Sequence, residues 1–401
     1  MHHDHYKAAL AVVRHLTHAG HTAYFAGGWV RDFLLRHPSD DIDIATSAPV
    51  EAIQSLFPKT IPVGISFGIV VVVLDGHSFE VATFRSDLDY IDGRRPTGYV
   101  AASAKEDAQR RDFTINGMFY APHQERLLDY VGGRDDLERG TIRAIGNAEA
   151  RFAEDRLRMI RAIRYASRFD FAIEEETAAA IRSHANDLFP SVAIERVWHE
   201  LVKMGPRRRP LVMLAEYGLL GVIFPELAMI PPDEIERRCR AIYRFPQHAP
   251  PIASILELFP NADAKQRLDL CLYLKLSRAD HAFVEGHTTL MPYLTGEMKP
   301  TKSEWVYAYA DPHFKMLLEI YLAHLDEPEP IKKHHADIMH ALAEPIRRIR
   351  ERDPLVTAAH LAERGIKPGP EMGRLLQEAE RLSIEEGLQT PDAIIRRLLP
   401  Y

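Results

Sequence analysis

The stretch Asp41-Ile42-Asp43-Ile44-Ala45-Thr46 decides the fold. Acidic and β-branched residues alternate there, and successive side chains of a strand point to opposite faces. A strand from Asp41 to Thr46 is therefore predicted, with both carboxylates on one face and Ile42 and Ile44 in a core. Upstream, Thr22 to Ala26 is short and rich in aromatic and β-branched residues, a second strand, and Gly27-Gly28 turns it into a helix through Val30, Phe33 and Leu34. Before that, Tyr6, Leu10, Val13 and Leu16 recur at helical spacing, and Gly20 is the stop signal. Downstream, a helix from Pro49 to Phe57 precedes two β-rich runs, Ile69 to Leu74 and Ser78 to Arg85, which flank Asp75-Gly76, a strong hairpin signal. On the far arm Glu80 sits between Phe79 and Val81, so alternation turns it away from both. The first 145 residues thus read as mixed α and β.

Three acids gathered on one sheet face would repel one another by several kcal/mol at partly buried separations unless cations neutralise them. Hard oxygen ligands suit Mg²⁺, and two such ions roughly 3.5–4 Å apart lower the pKa of an attacking hydroxyl and stabilise a leaving pyrophosphate. A glycine pair entering a helix lets backbone N–H groups approach a triphosphate at the positive end of the helix. Alone, Asp40-Asp41 can simply close a turn, and a glycine pair is common. The ordered combination of strand, glycine pair, helix, acidic strand and acid-bearing hairpin is specific.

Beyond Asn147, Glu154 to Ser167, Glu174 to Asn186 and Ile194 to Met204 carry helical periodicity with no convincing strand, so the remainder is predicted all-helical. Subdomain joints are expected at Gly205-Pro206, Pro231-Pro232, Pro250-Pro251 and Pro328 to Pro330. At 401 residues and 46% hydrophobic composition, the chain can fill two to four domains. Its longest unbroken apolar run, Ile69 to Leu74, falls far short of the roughly 20 residues of a bilayer span. Met1 to His5 lacks a secretory start and reads as a frayed polar end, so a cytoplasmic location without membrane contact is expected. A net charge of −7 excludes indiscriminate coating of nucleic acid, leaving local contact through clusters such as Arg207-Arg208-Arg209, for which a solvated surface is the other reading. Cys239 and Cys271 form no CxxC pair and are expected to be buried or inert thiols. His334, His335, Asp337 and His340 lack a regular ligand set and read as surface residues of a helix.

Gly27-Gly28-Trp29-Val30-Arg31-Asp32 followed by Asp41-Ile42-Asp43-Ile44-Ala45-Thr46 resembles the signature of the bacterial class II tRNA nucleotidyltransferase and poly(A) polymerase family, within the polymerase-β superfamily. Phe79-Glu80-Val81-Ala82-Thr83-Phe84-Arg85 resembles its third-carboxylate strand, and Arg110-Arg111-Asp112-Phe113-Thr114-Ile115-Asn116 its ribose-contacting motif. Glu154-Asp155-Arg156-Leu157-Arg158, then Arg161-Ala162-Ile163-Arg164-Tyr165, resembles the nucleobase-selecting helix. Glu195-Arg196 with Glu200 is similar to a helical motif that supports the pocket from outside, and residues 369–376 resemble a C-terminal family segment. The resemblance implies an α+β protein with a polymerase-β-like nucleotidyltransferase head and small mixed sheet (1–147), then all-helical neck (148–224), body (225–330) and tail (331–401), the tail meeting RNA. It implies that Asp41, Asp43 and Glu80 hold two Mg²⁺ ions, and that Gly27, Gly28, Arg31, Arg111, Asp112, Asn116, Glu154, Asp155, Arg158, Arg161 and Arg164 bind nucleotide. CTP and ATP are the implied substrates and the tRNA 3′ end the partner. No obligatory protein partner is evident, and monomer and homodimer both stay open.

In such a family protein side chains read the base. Asp155 and Arg158, three apart on a predicted helix, share a face. A carboxylate accepts from an exocyclic amine and a guanidinium donates to ring nitrogens, which suits cytosine and adenine. Uracil and guanine would set carbonyl against carboxylate, at about 1–3 kcal/mol for each unsatisfied buried group. Glu154 is placed to hold Arg158. An ordinary surface ion pair is the other reading of this string. Asp112 and Asn116 can bond ribose hydroxyls and Arg111 the triphosphate, although Asp112 also suits a helix cap. The polar segment Arg85 to Val100, with Asp87, Tyr90, Asp92, Arg94, Arg95 and Pro96, resembles a flexible loop that helps relatives pass from C to A addition. Val63 to Gly68 lacks the paired arginines of bacterial poly(A) enzymes, which favours CCA over poly(A) addition, while an A-adding or CC-adding specialist stays open. A non-enzymatic RNA-binding protein and a small-molecule nucleotidyltransferase are the remoter alternatives.

Overall fold

The computed structural model describes residues 3–37, 39–88 and 98–399. Two compact units emerge, one from the residues up to Met204 together with Arg209–Glu236, the other from Gly205–Arg208 and from Arg237 onward. In the first unit helix α1 (His3–His18) leads into β1 (Ala23–Ala26), α2 (Gly28–Leu34), β2 (Asp43–Thr46), α3 (Val50–Leu56) and β3 (Thr60–Ile61). The hairpin β4 (Ile69–Leu74) and β5 (His77–Thr83) turns at Asp75 and Gly76, both at positive φ (51° and 78°), as a two-residue hairpin loop demands.

Short strands β6 (Arg85–Asp87) and β7 (Tyr99–Ala101) pair beyond it. Tyr90, Asp92, Arg94, Arg95 and Pro96 lie outside the described residues. After α4 (Ala104–Gln109) come β8 (Phe119–Ala121) and β9 (Arg126–Leu128), and the seven-stranded sheet runs in the order β3-β4-β5-β2-β1-β8-β9. It is mixed, because β2 and β5 run parallel while the other neighbours are antiparallel.

Alternation sorts the sheet's two faces. Phe25, Ile44, Val70, Val72, Phe79 and Val81 are buried on the face that α1 covers. On the other, Ala26, Ala45 and Phe119 pack with Phe84 and Ala108. The second strand starts at Asp43, so Asp41 lies just ahead of the ladder rather than on it, with Ile42 already in the core at 3% exposure. Helix α1 reaches back to His3, further than a frayed end allows, because the His5 ring packs 4.8 Å from Phe79 while its Nδ1 meets His77 Nδ1 at 3.2 Å.

Strand character does not stop at Asn147. After α5 (Gly133–Glu138), β10 (Thr141–Ile142) pairs in parallel with β11 (Ala172–Ile173). The segment predicted as one helix from Glu154 is two, α6 (Ala148–Glu154) and α7 (Leu157–Phe169). Asp155 breaks it: its backbone is extended and its Oδ1 accepts the Leu157 N–H at 3.1 Å, a local bond that competes with helix continuation. Helices α8 (Glu175–His184) and α9 (Ile194–Met204) follow as predicted.

The second unit is helical. Pro251 and Pro328 are first residues of its helices, where a missing N–H costs nothing. Cys239 and Cys271 are buried free thiols that burial pushes up to about 12 and about 11. His335 corrects the sequence expectation of a surface residue, being 6% exposed, with Nδ1 3.0 Å from the Tyr309 hydroxyl and its ring beside Trp305 and Phe314. Its helix turns this histidine inward while Lys333 and Asp337, paired at 2.8 Å, face solvent.

Candidate active site

Parallel pairing of Ile44 with Val81 carries the register back to Asp43 opposite Glu80, so those two side chains stand side by side on one face. Glu80 is exposed between buried Phe79 and Val81. Burial, then the charges of Asp41 and Glu80, push the Asp43 carboxyl up to about 7, with Arg111 pulling the other way. Asp43 therefore feels two neighbouring acids with less positive charge than they need. Among the described residues no group of three His, Cys, Asp or Glu side chains stands close enough together to hold a metal ion as placed. The donor set is all oxygen and undercompensated, which fits a hard divalent cation drawing the carboxylates together. Antiparallel pairing of Ala26 with Asp43 brings the glycine turn to the same place. Gly27 has φ 67°, and a Cβ there would lie 3.0 Å from Arg111 Nη1 and 3.8 Å from Asp43 Oδ2, so only glycine leaves this approach open.

Asp41, Asp43, the glycine turn and Arg111 border a cleft of ≈ 710 Å³, with Glu80 outside its lining; that lining carries nine cationic side chains against five carboxylates, a local excess opposite in sign to the whole chain. Gly27, Gly28, Arg31, Asp41, Asp43, Arg111, Asp112, Asn116, Asp155, Arg158, Arg161 and Arg164 all line it. Glu154 lies just behind, its Oε2 accepting from Arg158 Nη1 at 2.6 Å. Arg158 also donates to the Arg151 and Arg110 carbonyls, so its direction is fixed. Asp155 and Arg158 face the cleft from either side of the helix break rather than from one helical face, and Asp155 is held by Arg196 Nη2 at 3.0 Å.

Asp112 and Asn116 do not open an α-helix, since Thr114–Asn116 is one 3-10 turn. Their polar atoms are engaged within the protein. Asp112 Oδ2 takes a fork from Arg161 Nε and Nη2 at 2.8 and 2.6 Å, Oδ1 accepts from Asn116 Nδ2 at 3.0 Å, and Asn116 Oδ1 accepts from Arg31 Nη1 at 2.5 Å. Burial alone would raise the Asp112 pKa, but Arg161 and Asn116 hold it down to about 2. A carboxylate below its ordinary 3.8 stabilises the fold fully above that value, and the contribution is lost as pH falls from there through about 2. By linkage this is on the order of 2 kcal/mol. We expect Asp112→Asn to flatten the acid limb of a melting-temperature profile below pH 4; an unchanged limb contradicts the assignment.

Sequence reasoning missed Tyr165 as a platform. Its ring lies 5.1, 5.5 and 4.1 Å from the guanidinium carbons of Arg31, Arg161 and Arg164. It also missed Asp32, which pairs with Arg31 and Arg168, and Asp107, buried behind Arg110 and Arg111. The signal in each case was an aromatic or acid inside an arginine-rich string. Glu200, 3% exposed, accepts Arg164 Nε at 2.5 Å, which places it behind the pocket wall as expected. Of the triple arginine, Arg207 is exposed and Arg209 pairs with Asp170 and the Phe171 carbonyl.

A mixed sheet that sets Asp43 and Glu80 side by side from a parallel strand pair, with Asp43 and a glycine turn lining an arginine-rich cleft, defines a nucleotidyltransferase head. Residues 23–143 match the poly A polymerase head domain, and residues 170–230 match the probable RNA and SrmB-binding site of polymerase A. The CCA-adding enzyme of Geobacillus stearothermophilus is 43% identical over 245 residues, an alignment taking in 60% of this chain and 59% of that protein's length. The CCA-adding enzyme of Lactobacillus gasseri is 31% identical over 415 positions, covering 98% of this chain and 97% of the relative. The crystal structure of the Bacillus stearothermophilus CCA-adding enzyme in complex with CTP superposes with a TM-score of 0.80 at 28% identity, over 98% of this chain and 97% of that one. The chain belongs to the CCA-adding enzyme family of polymerase-β-type nucleotidyltransferases.

Proposed function

We propose that this chain adds C, C and A to the 3′ end of tRNA from CTP and ATP, choosing each base with protein side chains. The observation that carries it is that two groups of side chains border one cleft: Asp41 and Asp43, with Glu80 beside Asp43 on the sheet, and Asp155 and Arg158, with Glu154 behind Arg158. Asp41, Asp43 and Glu80 would hold two Mg²⁺, which when bound would acidify the RNA 3′-hydroxyl and take up charge on the leaving pyrophosphate. The Gly27-Gly28 turn and Arg111 receive the triphosphate. Arg31, Asn116, Asp112 and Arg161 form a rigid lattice against which the ribose is placed, and Arg164 is fixed behind them by Glu200. Glu154 aims Arg158, and Arg196 aims Asp155, toward the base edge, so both readers are set before nucleotide arrives. Residues 1–147 then act as the head, 148–224 as the neck, 225–330 as the body and 331–401 as a tail, the last meeting RNA. Among the described residues no helix is long and apolar enough to cross a membrane, and we assign the activity to the cytoplasm.

The test is purified protein with Mg²⁺, separate CTP and ATP, and tRNA ending before, within or after CCA. Stopping after one terminal A supports CCA addition. Unlimited A tails on unrelated RNA would make it a poly(A) polymerase, and A without C an A-adding specialist. In the same assay Arg158→Ala is expected to narrow the preference for CTP over UTP by about 10- to 100-fold, one to two lost polar contacts; an unaltered preference removes Arg158 from base choice.

A further inference from the structure

Asp107 lies on α4, whose start is capped by its neighbours Ser103 and Glu106, so capping does not explain it. It is 1% exposed beside Ala108, and an uncompensated carboxylate there would be strongly destabilising. Two guanidiniums and a peptide compensate it. Oδ1 accepts Arg110 Nε at 2.9 Å and the Arg85 N–H at 3.3 Å, and Oδ2 accepts Arg111 Nε and Nη2 at 3.2 and 3.0 Å. With those two nitrogens taken, Nη1 is the one that faces the Gly27 turn, reaching the Asn116 carbonyl at 3.5 Å while the Phe119 ring sits 5.1 Å from the guanidinium carbon. Asp43 is close enough for Arg111 to act on it electrostatically. Released from Asp107, a guanidinium beside Asp43 and Asp41 would turn to them, leaving the triphosphate position and occupying the carboxylates.

We infer that Asp107 is a positioning residue for nucleotide binding, clamping Arg111 so that Nη1 meets the triphosphate and stays off Asp41 and Asp43. This rests on the proposed placement of nucleotide in the cleft. It is tested by equilibrium binding of CTP and CMP to the full chain, with melting temperature followed in parallel. Asp107→Asn keeps the shape and removes the charge, and is expected to weaken CTP about tenfold while CMP changes less than about twofold. Combined with Arg111→Gln, it should add little to the loss that Arg111→Gln causes alone. Equal weakening of CTP and CMP, or losses that add in full, would overturn the inference. Should Asp107→Asn not fold, Asp107→Glu keeps the charge but displaces the clamp by a methylene; a folded Asp107→Glu protein with wild-type CTP affinity overturns it as well. Wild-type chain that binds CTP without transferring it sinks the functional proposal and leaves this inference standing.

Discussion

Asp43→Asn is expected to lower kcat for nucleotide addition by about 10³-fold or more while making the metal-free protein more stable. Removing one group that organises transition-state charge typically costs that much, and Asp43 would hold the metal ions of the proposed site. The stability gain has a separate origin. An acid whose folded pKa is raised from 3.8 to about 7 favours the fold below pH 3.8, and that advantage is lost as pH rises through 7. At neutral pH the ionised side chain therefore opposes folding, and the amide relieves it by about 1–2 kcal/mol after allowance for partial exposure. Melting in EDTA should show Asp43→Asn above wild type at pH 8 and level with it near pH 4. Adding Mg²⁺ should stabilise wild type but not the variant. A variant less stable than wild type at pH 8 in EDTA would mean that the three acids do not oppose one another.

Arg161→Met should destabilise the fold by about 2–4 kcal/mol. The fork it gives Asp112 is short, and the carboxylate it leaves behind is 9% exposed. Breaking a buried pair from one side strands the other charge, although Asn116 and the Phe113 N–H still serve Asp112 Oδ1 and soften the cost. Arg161 itself is 29% exposed along the cleft, which is why the lower half of the range is favoured. Urea denaturation measures it. Adding Asp112→Asn should recover most of the loss, because a neutral amide no longer requires a cation. A double variant as unstable as the sum of the two singles would show that the pair is not coupled.

The placing of Asp43 and Glu80 on one sheet face was legible in sequence because alternation is a strong constraint. Phe79, Val81, Ile42 and Ile44 must be buried, so Glu80 and Asp43 must face away, and a two-residue Asp-Gly turn leaves the hairpin no other register. The strands β8 and β9 were not legible, since three-residue runs such as Phe119–Ala121 and Arg126–Leu128 carry too little periodicity to stand out. The break at Asp155 was hidden for the opposite reason. Apolar spacing runs on through Phe152, Leu157 and Ile160, and only the side-chain bond to Leu157 N–H shows why the helix stops. Asp107 and His335 escaped because each sits in a polar helical string, and which polar residue turns inward is decided by its tertiary partners, Arg110 and Arg111 for one and Tyr309 for the other.

The most direct measurement is anomalous diffraction from crystals soaked with Mn²⁺ and a non-hydrolysable CTP analogue. Manganese within about 2.2 Å of Asp41 and Asp43 oxygens, beside a triphosphate lying on the Gly27-Gly28 turn, is the predicted result. Ion and nucleotide at separate places, or manganese that avoids both aspartates, would contradict it.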